Sequence, residues 1–236
     1  MSGSTTGFAA PTIRPLAESG LLIELGDGID PAVTARVMAL VAALDAAALP
    51  GVLDVVPSYT TILLSFDPEV AAPEALTTEV RRLAAATASA TSPPGRLVTI
   101  PVAYGGDLGP DLGEVADHTG LSPEEVIARH AGAAYVVAAM GFAPGFAFLI
   151  GLPPELTTPR RPSPRTRVPA GSVGIGGAQT GVYPLATPGG WRLIGRTPLR
   201  LFDLDRSEPF LLQPGDRVRF DPIPAGDDAT AAGPEG

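Results

Sequence analysis

Residues 159–200 read PRRPSPRTRVPAGSVGIGGAQTGVYPLATPGGWRLIGRTPLR, and no helical period survives in them. Eight glycines and seven prolines punctuate this stretch, so its apolar runs at 173–175, 181–185 and 191–194 are only a few residues long. Proline inside a helix removes a backbone donor and clashes with the preceding turn, whereas short apolar runs bounded by Gly and Pro are strand signals. The same texture reaches back to residues 135–141 and forward to 209–212 and 217–220. Many short strands at close spacing predict a barrel or a sandwich from residue 135 onward.

Working outward, Leu97-Val98-Thr99-Ile100-Pro101-Val102 reads as a strand, and two short helices follow around residues 110–119 and 122–131. The second opens on Ser122-Pro123-Glu124-Glu125, a capping box with proline at the first helical position. The N-terminal part alternates differently. Leu21-Leu22-Ile23-Glu24-Leu25 reads as a strand, and Pro31 opens a helix with Val33, Val37, Leu40 and Leu44 on one face. Val52-Leu53-Asp54-Val55-Val56, a Pro57-Ser58 turn and Thr61-Ile62-Leu63-Leu64-Ser65-Phe66 read as two strands, before a helix from Pro73 presenting Leu76, Val80 and Leu83. The order β-α-β-β-α suits a ferredoxin-like α+β unit whose last strand comes from beyond the second helix. Thr91-Ser92-Pro93-Pro94-Gly95 is the linker candidate. The chain is therefore expected to be α+β, with an N-terminal domain over residues 8–92, a β domain over 96–223 and a disordered tail over 224–236.

Composition removes whole classes of chemistry. The 236 residues contain no cysteine, so disulfides, thiol nucleophiles and thiolate metal sites are absent. All 16 basic residues are arginine, and a chain without lysine carries no Walker A loop, Schiff base or biotin attachment. Two histidines, His118 and His130, are too few for a zinc finger or an HExxH site, and no metal is expected. No apolar run reaches the roughly 18 residues of a membrane span, and Met1-Ser2-Gly3-Ser4-Thr5-Thr6-Gly7 shows no secretory signal, so a cytoplasmic protein is expected.

Net charge is −9, yet seven arginines (Arg160, Arg161, Arg165, Arg167, Arg192, Arg196 and Arg200) fall within residues 159–200 with no Asp or Glu among them. Such an island recruits a phosphate or carboxylate, or forms a solvated basic face or an interface for an acidic partner. Nucleic acid is disfavoured, because aromatics are sparse there and the whole chain is acidic. The Gly-rich loops Val168-Pro169-Ala170-Gly171-Ser172-Val173-Gly174-Ile175-Gly176-Gly177 and Pro188-Gly189-Gly190-Trp191 suit an anion nest, an oxyanion hole or ordinary barrel turns. Gly141-Phe142-Ala143-Pro144-Gly145-Phe146-Ala147-Phe148 brings aromatics around a Pro-Gly turn, as the wall of a small flat pocket or as core. His130 falls near a predicted helix C-terminus, where the macrodipole favours its charged form, and His118 follows Glu114 by one helical turn as a surface partner. No Gly-x-Ser-x-Gly elbow precedes a helix and no paired carboxylates stand out, so neither a serine hydrolase nor a glycosidase is indicated.

The ordered landmarks GFAPGFAFLIGLP and PRRPSPRTRVPAGSVGIGGAQTGVYPLATPGGWRLIGRTP resemble the 5-oxoprolinase B-subunit family, also described as allophanate hydrolase subunit 1 or the KipI-type kinase inhibitor family. The resemblance implies a cyclophilin-like β-barrel behind the N-terminal domain. It also implies partners, subunits A and C, which together with such a chain open 5-oxo-L-proline to L-glutamate using ATP and Mg2+. Kinase inhibition and the carboxyltransferase half of a urea carboxylase are the family's other activities. Where many members carry Tyr-Leu-Gly-Gly-Leu, this chain has Phe148-Leu149-Ile150-Gly151-Leu152, so no role for that phenol transfers. The matched polar positions are Arg165, Arg167, Ser172, Gln179, Thr180, Tyr183 and Arg196. From their chemistry, Arg165, Gln179, Arg196 and His130 are the catalytic candidates, and Phe142, Pro144, Phe146, Arg167, Ser172, Thr180 and Tyr183 the substrate-binding ones. Arg165 and Arg196 are expected to converge on one anion pocket.

Overall fold

The computed structural model describes residues 7–88 and 95–226. The chain divides into two compact units, residues 1–94 and 95–236. The expected linker at 91–95 lies outside the described residues apart from Gly95, as does the expected tail beyond residue 226.

The first unit runs β1 (Gly7–Leu16), β2 (Gly20–Gly26), α1 (Pro31–Ala47), β3 (Val52–Ser58), β4 (Thr61–Phe66) and α2 (Pro73–Thr87). Its strands lie in the order β1-β2-β4-β3, every neighbouring pair antiparallel. Alternate residues of β2 and β4 (Leu21, Ile23, Leu25, Ile62, Leu64 and Phe66) meet Val33, Val37, Leu40 and Leu44 of α1 and Leu76, Val80 and Leu83 of α2 in one core. Asp30 starts α1 by accepting a 2.7 Å hydrogen bond from the Ala32 N–H, with Pro31 at the first position. Two expectations are corrected. The strand beside β2 is β1, from before the first helix, and not a segment following α2. Composition hid it: β1 contains Pro11 and Pro15 and is exposed along most of its length, so no apolar alternation marks it. The β3–β4 turn also comes later than expected, at Tyr59-Thr60, where Tyr59 takes a φ of 23° and Pro57 stays in strand register opposite Ile62.

The second unit runs β5 (Leu97–Tyr104), α3 (Leu112–Thr119), α4 (Pro123–Gly132), β6 (Tyr135–Met140), β7 (Ala147–Ile150), β8 (Arg165–Val168), β9 (Ser172–Ile175), β10 (Thr180–Val182), β11 (Thr187–Gly189), β12 (Arg192–Arg196) and β13 (Arg217–Pro222). Seven strands follow the order β6-β13-β5-β12-β9-β10-β7, and β7 pairs back onto β6, closing a barrel with no free edge. All neighbours are antiparallel except β13 and β5, which run parallel from Arg217↔Leu97 to Pro222↔Val102. Strands β8 and β11 form a separate two-stranded ribbon. The barrel is filled by Ile100, Val102, Val137, Leu149, Val173, Ile175, Val182, Ile194, Val218 and Phe220, and α3 and α4 add Val115 and Val126. The capping box forms as read: Ser122 Oγ accepts from the Glu125 N–H at 3.2 Å and the Glu125 carboxylate from the Ser122 N–H at 2.9 Å. Residues 209–212 are not a strand; only an isolated bridge joins Phe202 and Phe210.

Candidate functional site

Beside the barrel core, Phe146, Val168, Tyr183, Trp191 and Leu193 form a second apolar cluster, and its aromatic rings are arranged edge to face. Ring centroids of Phe146 lie 5.3 Å from Tyr183, 5.5 Å from Trp191, 4.8 Å from Phe148 and 5.4 Å from Phe142, spacings at which quadrupoles favour T-shaped contact. The rings leave a recess of about 120 Å³, walled by Phe142, Phe146, Phe148, Arg160, Tyr183, Trp191 and the bare backbone of Gly189 and Gly190. That volume suits one small ring; drug-sized sites run to roughly 300–1,000 Å³.

Two glycines of the expected anion nests serve this packing. A Cβ on Gly176 would sit 2.5 Å from Trp191 Nε1, and one on Gly189 would sit 2.4 Å from the Tyr183 hydroxyl. Only glycine lets these rings lie flat against backbone. Tyr183 is buried, which raises its pKa, while a backbone hydrogen bond from Trp191 and the charges of Arg160 and Arg165 act the other way. Phe142 is the exception in the cluster, 65% exposed at the recess mouth. Its φ of 70° is a conformation that bulky side chains rarely adopt.

Most of the arginine island is already neutralised. Asp111, at the start of α3, is buried and accepts from Arg165 Nη1 at 2.9 Å, Arg165 Nη2 at 2.7 Å, Arg161 Nη1 at 3.1 Å and the Leu193 N–H at 2.7 Å. Burial pushes the Asp111 carboxyl up, but the Arg165 hydrogen bonds, the Leu193 amide and the two guanidinium charges outweigh it and hold it below the usual carboxylate range. Glu114, one turn along, pairs with Arg192 and, at 3.6 Å, with Arg161. Arg200 faces Asp203 at 3.7 Å. Arg196 Nε donates to the Ala170 carbonyl at 2.8 Å. Arg165 thus ends on the Asp111 carboxylate and Arg196 on a backbone carbonyl. Arg167 is exposed on β8. Arg160 remains, its guanidinium 5.8 Å from the centroid of the Trp191 ring.

His130 lies elsewhere, fully buried in the barrel core and stacked on Phe220 at 4.6 Å. Thr180 Oγ1 donates its single proton to the Gly174 carbonyl at 2.9 Å, so it accepts from His130 Nε2–H at 2.9 Å, and the Tyr104 hydroxyl donates to Nδ1 at 2.8 Å. The imidazole is thus neutral with both nitrogens satisfied. Burial pushes its pKa down to about 3, which corrects the expectation that the helix dipole would favour its charged form. His118 is exposed, and the Glu114 carboxylate reaches Arg161 and Arg192 instead of it.

Of the sequence candidates, the structure brings Phe142, Phe146 and Tyr183 together in the recess and joins His130 to Thr180 in the core. Ser172 is buried, its carbonyl accepting from the Tyr183 N–H at 2.9 Å, and Gln179 closes the β9–β10 turn through its carbonyl to the Gly176 N–H at 3.0 Å. Pro144 is exposed at the turn before β7. Asp111 has no place among the sequence candidates, and Arg160 and Trp191 stand there only as members of the arginine island and of a Gly-rich loop. An aspartate directly before a helix in a chain so rich in downstream arginine is the one signal for Asp111. Among the described residues no group of three or more Asp, Glu or His is placed to hold a metal ion. The recess, at about 120 Å³, is too small for a nucleoside triphosphate with Mg2+.

Closed barrel, α+β first unit and aromatic recess define a carboxyltransferase-type chain: the family model described as carboxyltransferase domain, subdomain C and D, matches residues 11–212. Solved structures agree, TTHA0988 being 41% identical with a TM-score of 0.78 over 95% of this chain, which spans 42% of that one. The 5-oxoprolinase B subunit of Bacillus subtilis is 44% identical over 218 residues, covering 88% of this chain and 91% of the relative. That of Escherichia coli is 47% identical over 208 residues, covering 88% and 94%. This chain belongs to the 5-oxoprolinase B-subunit family.

Proposed function

We propose that this chain is the B subunit of an ATP-dependent 5-oxoprolinase, cytoplasmic, opening 5-oxo-L-proline to L-glutamate together with subunits A and C. The observation that carries the reading is the match, over 88% of this chain and more than nine tenths of theirs, to two chains named as 5-oxoprolinase B subunits. The recess supports it, because a small ring with two apolar faces fits among Phe142, Phe146 and Trp191. An unstrained lactam is inert to water at neutral pH, so the ring must be held still and shielded until it is activated. Phe146 and Trp191 hold its faces and Phe142 stands at the opening. The recess is too small for ATP, and among the described residues no cluster of acidic or histidine side chains would hold Mg2+, so both are assigned to a partner subunit and this chain is inert alone. Arg165 steadies the cluster behind the recess through Asp111 and the Leu193 amide, Arg196 ties down the Ala170 loop, and His130 and Thr180 brace the barrel core. The domains are an N-terminal one over 8–92, with the ferredoxin-like strand layout permuted so that β1 takes the place of the last strand, and a cyclophilin-like barrel over 96–223.

Reconstitution with subunits A and C should give glutamate formation that depends on ATP, on 5-oxo-L-proline and on this chain; unchanged activity when the chain is left out refutes the assignment. The family description favours carboxyl transfer as a second reading. A chain without lysine then needs biotin from elsewhere, and biotin-dependent carboxylation with no glutamate formed would select that reading.

A further inference from the structure

We propose that Arg160 is the residue that binds the carboxylate of the ring substrate in the aromatic recess, an assignment that rests on the 5-oxoprolinase reading and names the group by which the site selects its ligand. Among the recess walls Arg160 is the one ionised group. Its neighbour Arg161 turns to Asp111 and Glu114, and Arg165 and Arg192 end on the same two carboxylates. Arg160 makes no ion pair or hydrogen bond among the described residues, and what holds it is the face of Trp191. Its five N–H donors are therefore open to the solvated recess.

The backbone around it is fixed in advance. The Arg161 N–H donates to the Gly190 carbonyl at 2.7 Å, Arg192 Nε reaches the Pro159 carbonyl at 3.4 Å, and Pro159 and Pro162 bracket the pair of arginines. Little ordering entropy is lost when a ligand arrives at such a segment. The recess holds one cation and admits one small ring, so a singly charged planar carboxylate, which pairs with a guanidinium through two parallel hydrogen bonds, balances the charge one to one. A phosphate dianion would be left half compensated among aromatic rings. The ligand class is thus a five- or six-membered cyclic amide bearing one carboxylate.

The test uses the full chain and the reconstituted complex, with 5-oxo-L-proline and 2-pyrrolidinone, the same lactam without its carboxylate. Trp191 is the only tryptophan, so its fluorescence reports the recess directly in the isolated chain. Wild-type chain should show saturable quenching by 5-oxo-L-proline at concentrations at least about tenfold below those needed with 2-pyrrolidinone. Arg160→Gln should weaken 5-oxo-L-proline by about 10- to 100-fold, leave 2-pyrrolidinone unchanged and leave the melting temperature unchanged, because the side chain is exposed. Arg160→Lys should recover part of the loss. In the complex the same Arg160→Gln change should raise KM for 5-oxo-L-proline far more than it lowers kcat. Equal weakening of both ligands, or of neither, overturns the assignment. Failure of the wild-type complex to form glutamate refutes the 5-oxoprolinase reading instead, and leaves the fluorescence comparison to decide whether Arg160 reads a carboxylate.

Discussion

Replacing Asp111 with Asn should be the most damaging single-atom-scale change in the barrel unit. The carboxylate is 2% exposed and accepts four hydrogen bonds, three of them from the guanidinium groups of Arg161 and Arg165, which are themselves only 29% and 24% exposed. Asn keeps one oxygen for the Leu193 amide but turns an NH2 towards Arg165, leaving Arg165 without its counter-charge and Arg161 with only the more distant Glu114. Breaking a buried pair from one side costs about 3–5 kcal/mol, and the retained acceptor reduces this to about 3 kcal/mol. The control is Glu114→Gln, which removes an equal charge from the neighbouring position; Glu114 is 52% exposed, and solvent screening limits its effect to about 0–1 kcal/mol. Urea unfolding followed by Trp191 fluorescence reports the barrel unit alone. With a slope of about 1–3 kcal/mol per molar urea, Asp111→Asn should lower the midpoint by roughly 1–3 M and Glu114→Gln by a few tenths. Equal, small shifts for the two variants would refute the view that Asp111 is the anchor of the arginine island.

Three further outcomes follow from the same geometry. His130 has a pKa lowered from 6.5 to about 3, so the unfolded chain binds more protons between those values. Barrel stability should be fully present above about pH 6.5 and fall by at most roughly 1.4 kcal/mol per pH unit as the pH drops towards 3, and the His130 ring signal in NMR should not move from about pH 7.5 to about pH 4.5. Gly176→Ala should displace the Trp191 indole, seen as a shifted emission maximum and a loss of about 1–3 kcal/mol in urea unfolding; unchanged emission would show that the ring does not need that glycine. Phe142→Gly should relieve the backbone strain at φ 70° and raise the melting temperature slightly while weakening 5-oxo-L-proline in the Trp191 quenching assay; a lowered melting temperature with intact binding would assign Phe142 to the core instead.

Local pattern alone was sufficient for helices α1, α2 and α4, since Pro31, Pro73 and Ser122-Pro123 mark their starts and a repeating apolar face needs nothing from the rest of the chain. It was sufficient as well for a strand-rich second half, because Gly and Pro at close spacing forbid helix wherever they fall. Strand β1 was invisible for the opposite reason: an exposed edge strand buries too little to leave an alternating trace. Phe142, Phe146 and Tyr183 were found because aromatics about a Pro-Gly turn are a local signal, yet nothing local says that Trp191 and Arg160 complete the same recess. The arginine island holds no acidic residue of its own, so composition leaves its charge unbalanced, and the balance comes from outside it, at Asp111. One carboxylate some fifty residues upstream takes up Arg161 and Arg165, and only barrel closure, by laying the start of α3 against β12 through the Leu193 amide, brings it there. His130 shows the same limit: its helix-end position is fixed by sequence, but its proton affinity is set by burial, among Tyr104, Thr180 and Phe220, which three strands carry into contact with it. Charge and periodicity are properties of neighbours along the chain; which charge is balanced and which ring is buried depends on neighbours in space.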